Sequence, residues 1–286
     1  MTAFKEIEER LREAAKDLLA KGEVAQVLAY GPGYDERHPQ PCLAKTPADT
    51  EKLVFNEHCT FNLAGYLRRC PPETRTAIAV KGPDSRAVVQ LIQEGKLKRE
   101  DLVLLGIPAT GMRDQKTGAT LDVTTTCGLV NPVLYDILLG EEQPGSTGSP
   151  FQVLSKLEGM DKEARWDFWR GEFDRCLRCY ACRKACPLCY CDPCFMDQSR
   201  PRWADKSPTP AGSAMYHLTR FHHLAGRCID CGQCSRACPV DIPLYLFHKK
   251  LAKECEEMFG QAAGMKVEDR PVMVDFRVED GDEMLK

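Results

Sequence analysis

No apolar run in the 286 residues approaches the roughly 18–20 that a membrane-spanning helix needs, so no membrane span is expected. Charge of one sign is not in excess either. There are 39 Lys and Arg against 42 Asp and Glu, a formal net charge of −3, without the basic stripe that nucleic-acid binding calls for. The 21 Gly and 19 Pro follow no period, which excludes collagen-like and low-complexity classes. Neither a G-x-G-x-x-G fingerprint, a Walker loop nor a G-x-S-x-G elbow occurs, so the short nucleotide and hydrolase signatures do not apply. Histidine is sparse: His38, His58, His217, His222, His223 and His248, of which the adjacent pair His222-His223 reads as solvent or interface residues. The opening MTAFKEIEERLREAAKDLLAKGE is charged throughout, so neither a secretory signal nor a transit peptide is expected, and a cytoplasmic setting is.

What the chain has in quantity is cysteine, 16 residues in all. A reducing compartment directs thiols toward metal or redox duty rather than disulfides. Their distribution agrees: eleven lie between Cys176 and Cys238, while Cys42, Cys59, Cys70, Cys127 and Cys255 are dispersed. A disulfide scaffold spreads its cysteines over a whole small domain. A metal-binding segment attached to something else gathers them.

The attached part reads as alternating helices and buried strands. Residues 4–21 carry Leu11, Ala14, Ala15, Leu18 and Leu19 at helical spacing. VAQVLAY (24–30), TAIAV (76–80) and DLVLLGI (101–107) are short apolar runs of strand character, and Gly31-Pro32-Gly33 after the first reads as a plain turn rather than a phosphate loop. Residues 59–69 and 82–95 read as helices, the second with Asp84 or Ser85 as N-cap. The pattern implies an α/β domain with a mainly parallel sheet over residues 1–145. EEQPGSTGSP (141–150) is the clearest linker. Residues 146–265 are expected to form an α+β dicluster ferredoxin domain, with helices over 154–173, 211–226 and 242–260 and an insert at 187–227. The last twenty residues hold seven acids against three bases, so 266–286 reads as an extended acidic tail.

Two segments repeat one spacing, C-x-x-C-x-x-C-x-x-x-C-P: Cys176, Cys179, Cys182, Cys186, Pro187, and Cys228, Cys231, Cys234, Cys238, Pro239. This is the bacterial-ferredoxin run, in which three thiolates wrap one [4Fe-4S] cube and the fourth turns to the other cube. Proline after the fourth cysteine fixes φ where the chain leaves. Cluster one is therefore assigned to Cys176, Cys179, Cys182 and Cys238, and cluster two to Cys228, Cys231, Cys234 and Cys186. Structural zinc also takes four cysteines, but its sites use separated C-x-x-C pairs. Cys189, Cys191 and Cys194 open the insert and have two readings. One is a third metal site completed by Cys59 or Cys127; the other is spare thiols packed beside a cluster.

The phrases KLVFNEHCTFNLAGYL (52–67), AVKGPDSRAVVQLIQEGKLKREDLVLLGIPATGM (79–112) and TTCGLVNPVLYD (125–136) resemble the beta-subunit family of coenzyme F-420 (deazaflavin) hydrogenases and dehydrogenases. With CYACRKACPLCYCDPCF (179–195) and RCIDCGQCSRACPVDIPLYLFHKKLAKECEEMFG (227–260), the chain resembles more closely the iron–sulfur members associated with heterodisulfide-reductase-like complexes of anaerobes. The resemblance implies an electron-transfer subunit. Some members bind a flavin and reduce the deazaflavin. Relatives usually carry cysteine where Pro83 and Ala109 stand here, so a further cluster of that design, built with Cys59 and Cys127, is not expected.

The leading expectation is a subunit relaying single electrons through two [4Fe-4S] clusters to partner redox subunits: a heterodisulfide-reductase-like flavoprotein, a hydrogenase or a formate dehydrogenase. The rival is a subunit that binds FAD and itself exchanges hydride with a deazaflavin or nicotinamide. A free ferredoxin-like carrier fits poorly, since small ferredoxins dispense with an α/β appendage.

Overall fold

The computed structural model describes residues 2–272 apart from 72, 123, 124, 146 and 206. Most of the expected acidic tail, from 273 onward, lies outside the described residues. Helix α1 (Thr2–Ala20) turns Leu11, Ala15 and Leu18 inward at the helical spacing read from the sequence. Strands β1 (Gln26–Gly31), β3 (Thr76–Val80) and β4 (Leu102–Gly106) are parallel and buried throughout, which is why their sequences are apolar runs rather than alternating ones. Two edge strands went unread in the sequence. β2 (Gln40–Ala44) pairs antiparallel with β1, and the two-residue β5 (Ile137–Leu138) pairs parallel with β4, giving the order β2-β1-β3-β4-β5. Gly31 is the last residue of β1 and pairs with Gln40 of β2, so the turn reading of that triplet is corrected: only Pro32 and Gly33 belong to the β1–β2 connection.

Two helix expectations are corrected. Over 59–69 only one turn forms, α2 (Ala64–Leu67). Upstream of it side chains capture backbone donors: Cys59 Sγ accepts from the Asn56 N–H, and Asn62 Oδ1 accepts from the Ala64 N–H at 3.1 Å. Such local bonds compete with a helix. Helix α3 (Gly82–Gln93) starts earlier than Asp84 or Ser85 would allow. Lys81 is its N-cap, Pro83 sits in the first turn where a missing N–H is harmless, and Asp84 at N3 reaches back to the Lys81 N–H at 3.2 Å.

Past the sheet the chain is helical. Helix α4 (Ser155–Glu158) is followed by α5 (Lys162–Asp174), capped by Asp161, whose carboxylate accepts from the Ala164 N–H at 2.7 Å. Then come α6 (Ala181–Ala185), α7 (Pro210–His223), α8 (Gln233–Arg236) and α9 (Leu244–Phe259), the last ended by Gly260 at φ 65°. Among the described residues from 139 to 272 there is no strand. The α+β expectation for the ferredoxin part is therefore corrected to helices and loops; the cysteine loops occupy the chain that hairpins would need.

Two cores result. The first lies around the sheet and takes in Leu188, Leu224 and Ile229 from the cysteine-rich part. The second is aromatic, built from Trp169 and Phe173 of α5 with Tyr216 of α7 and Phe247 of α9. Polar contacts join the two parts as well. Arg227 binds Glu94 at the end of α3 at 2.5 and 2.8 Å, Lys116 binds the Cys238 carbonyl at 2.7 Å and Asp241 at 2.6 Å, and Arg86 binds the Ala263 carbonyl.

Candidate metal centre

The two cysteine runs share a backbone geometry as well as a spacing. Between their first and second cysteines, Arg178 and Asp230 adopt φ of 55° and 53°. Between the second and third, Tyr180 and Gly232 adopt 61° and 69° and become the N-caps of α6 and α8. Left-handed backbone at Arg178, Asp230 and Tyr180 is unfavourable for residues with a Cβ and persists only where surroundings impose it. At Gly232 no side chain would fit, because a Cβ there would stand 2.3 Å from the Thr125 carbonyl oxygen. The third cysteine of each run, Cys182 and Cys234, is thereby buried on the first turn of its short helix, and α6 packs on α8.

This packing interleaves the runs. Cys176 lies within electrostatic reach of Cys182 in its own run and of Cys238 in the other; burial pushes its thiol up and these neighbours add to the shift. Cys186 comes within reach of Cys231 and Cys234. Cys186, Cys228, Cys231 and Cys234 together line one small cavity. Cys234 also feels Cys182, so the two sets adjoin. Burial raises the thiols of Cys228 and Cys231, and raises Cys234 to about 11, whereas a hydrogen bond from Cys189 brings Cys186 down to about 5. Buried thiolates need a counter-charge, and four of them around one cavity are a donor set that suits iron. No three His, Cys, Asp or Glu side chains among the described residues converge as they would on a single ion. Sulfurs round one tetrahedral zinc lie roughly 3.8 Å apart; a cube of four irons spreads its thiolates more widely.

The loops are braced by charge. Lys249 of α9, fully buried, binds the Asp230 carboxylate and donates to the Thr126 carbonyl at 3.0 Å. Helix α7 contributes side chains that the sequence reading passed over. His217 Nε2 lies 3.2 Å from Cys176 Sγ, Tyr216 Oη lies 3.4 Å from Cys182 Sγ, and Arg220 donates to the Cys182 carbonyl at 3.3 Å. Burial, then the charges of Arg220 and Arg178, lower His217 to about 3, so its ring is neutral. The available signal was helical spacing: 213, 216, 217 and 220 fall on one face. His222 and His223 are both exposed.

The five cysteines of the possible third site have separate surroundings. Cys189 donates a hydrogen bond to Cys186 and Cys194 lies against Arg183, while Cys191 is exposed. Cys59 is fully buried in the sheet core with its thiol pushed up to about 12, and Cys127 faces Arg86 and Asp230.

A separate cleft of about 230 Å³ opens beyond the C-terminal ends of β3 and β4. Lys81, Asp84 and Asn62 line it, with Pro83 and Ala109, and Cys231 and Arg236 form its far wall. Lys81 is buried there between Asp84 at 2.7 Å and the Tyr30 hydroxyl.

Residues 172–242, the span of both runs, match the 4Fe-4S dicluster domain family. Fold and site together define an iron–sulfur protein of ferredoxin type. The F420-dependent formate dehydrogenase 1 subunit beta of Methanococcus maripaludis is 30% identical over 354 aligned positions, covering 90% of this chain and 91% of that protein. The F420-dependent formate dehydrogenase subunit beta of Methanocaldococcus jannaschii is 40% identical over 86 residues, which are 30% of this chain and 22% of that protein. The chain belongs to the family of F420-linked dehydrogenase beta subunits, as the resemblance in its sequence implied.

Proposed function

We propose that this chain is the electron-relay subunit of a cytoplasmic formate-dehydrogenase-type complex, working through two [4Fe-4S] clusters in an anaerobe. The carrying observation is the interleaving of the runs, which sets Cys238 beside Cys176 and Cys186 beside Cys231 and Cys234. It supports crossed ligand sets: Cys176, Cys179, Cys182 and Cys238 for cluster one, and Cys228, Cys231, Cys234 and Cys186 for cluster two. A cluster so held supplies one-electron uptake and release. The protein's part is to fix the loops through Lys249, Lys116 and the α6–α8 contact, and to bury the sulfurs. Residues 146–265 form the relay and residues 1–145 the scaffold that docks partners, whether a formate dehydrogenase, a hydrogenase or a heterodisulfide-reductase-like flavoprotein. The names of the relatives favour the first.

The test is metal content. Anaerobically purified chain should carry about eight iron and eight sulfide. Near four iron, or stoichiometric zinc, would refute the two-cluster reading.

A second reading has one observation in its favour. The cleft beyond β3 and β4 lies where parallel α/β sheets bind ligands, and Cys231 forms part of its wall. A flavin there would make the chain an enzyme exchanging hydride with a deazaflavin or nicotinamide. The cleft is smaller than the roughly 300–1,000 Å³ of most ligand sites, which ranks this reading second. Stoichiometric flavin in the isolated chain would reverse the ranking.

A further inference from the structure

Helix α7 belongs to the insert between the two cysteine runs, and its buried face meets sulfur repeatedly. His217 Nε2 and the Tyr216 hydroxyl lie 3.2 and 3.4 Å from Cys176 Sγ and Cys182 Sγ, and toward a cluster-bound thiolate, which only accepts, each would be the donor. One turn earlier, Ser213 is buried with its hydroxyl turned toward Cys176, whose thiol it lowers, and no other partner is within hydrogen-bond distance of that hydroxyl. A buried hydroxyl without a partner is unusual in a native interior. A thiolate at Cys176 would supply one.

The second cysteine set is treated differently. A hydrogen bond from Cys189 reaches Cys186, and the guanidinium of Arg236 on α8 lies within reach of Cys231 and Cys234. Hydroxyl and imidazole donors from α7 go to the first set. Arg220, also on α7, lies within reach of Cys182, Cys186 and Cys234, so its charge acts on both sets and does not distinguish them.

Hydrogen bonds to ligand sulfurs favour the reduced state of a thiolate-bound cluster, because the added electron raises the negative charge that those donors stabilise. We propose that the Ser213, Tyr216 and His217 face of α7 tunes the first set, raising the reduction potential of a cluster held by Cys176, Cys179, Cys182 and Cys238 above the value it would have without these groups. These are positioning and tuning residues, with no ligand role. The inference rests on the crossed ligand sets proposed above.

The experiment uses the full chain, purified anaerobically, with iron and sulfide counted before a redox titration followed by EPR. Cys238→Ala first identifies the signal of the first set. Tyr216→Phe removes one hydroxyl and His217→Leu removes the ring N–H, while His217→Gln keeps an N–H donor. Each of the first two variants should keep its iron and shift the first set's reduction equilibrium up to about tenfold toward the oxidised form, ~59 mV for one electron. The other signal should stay in place, and His217→Gln should restore most of the shift. Unmoved midpoints at full iron would overturn the proposal, as would movement of the other signal instead. Loss of iron from Tyr216→Phe would overturn it too, making this face a structural support. About four iron in the unmutated chain, or damage by Cys238→Ala to the signal of the 228–234 loop, would fell the ligand assignment itself, and would be seen before any α7 variant is measured.

Discussion

Lys249 shows how a single charge holds a loop. It is 0% exposed, and its ammonium is shared between the Asp230 carboxylate and the Thr126 carbonyl. Asp230 is the left-handed residue between Cys228 and Cys231, so this pair fixes the conformation that aims two thiols. Removing one partner of a buried ion pair strands the other, at a cost of about 3–5 kcal/mol. Lys249→Met should therefore lower stability by about that amount in anaerobic thermal or denaturant unfolding. Adding Asp230→Asn to it should recover part of the loss; equal stability of Lys249→Met and the parent would show the pair to be dispensable. A second residue-scale expectation concerns the dispersed thiols. Cys59→Ser and Cys127→Ser should leave iron content unchanged, since Cys59 is buried in the sheet core and Cys127 faces Arg86 and Asp230. A loss of about four iron from either would revive a third cluster. The cysteine runs could be singled out from sequence because their spacing is local. His217 and Tyr216 could not, because they lie 41 and 34 residues from the sulfurs they touch and meet them only through the packing of α7.

Among the elements, long apolar runs and strong periodicity translated directly: α1, β1, β3, β4 and α9 fall within a few residues of where the pattern places them. The short edges did not. β2 contains Pro41 and is half exposed, and β5 is two residues long, so neither presents enough buried side chains to leave a pattern. The junction between α3 and the insert was equally invisible, being made by residues far apart in the chain. Burial pushes the Glu94 carboxyl up, but hydrogen bonds from Arg227 and Tyr190 outweigh this and hold it below its ordinary value of 4.5. A carboxyl depressed by folding contributes stability that is fully present above that ordinary value and is lost as pH falls through the lower folded one. Glu94→Gln should thus destabilise the neutral-pH protein by about 1.5–3 kcal/mol, the worth of hydrogen bonds to a charged group. The difference from the parent should shrink as the pH is lowered below 4.5. Parallel stability curves for the two proteins would remove Glu94 from the account.

At the scale of the whole molecule, the two parts share a hydrophobic core and a set of ion pairs, so the relay is seated on the sheet rather than tethered to it. The side-by-side packing of α6 and α8 has a consequence for how the protein is made. In the crossed arrangement proposed above, a nascent chain that has emerged only as far as Cys186 offers three ligands for one cluster and one for the next. The second set is complete only once synthesis has passed Cys234 and the first only once it has passed Cys238, four residues later, after the intervening insert has folded back. Iron delivery would then follow release of the C-terminal part from the ribosome, and both clusters would be acquired in one concerted stage of maturation instead of one after the other.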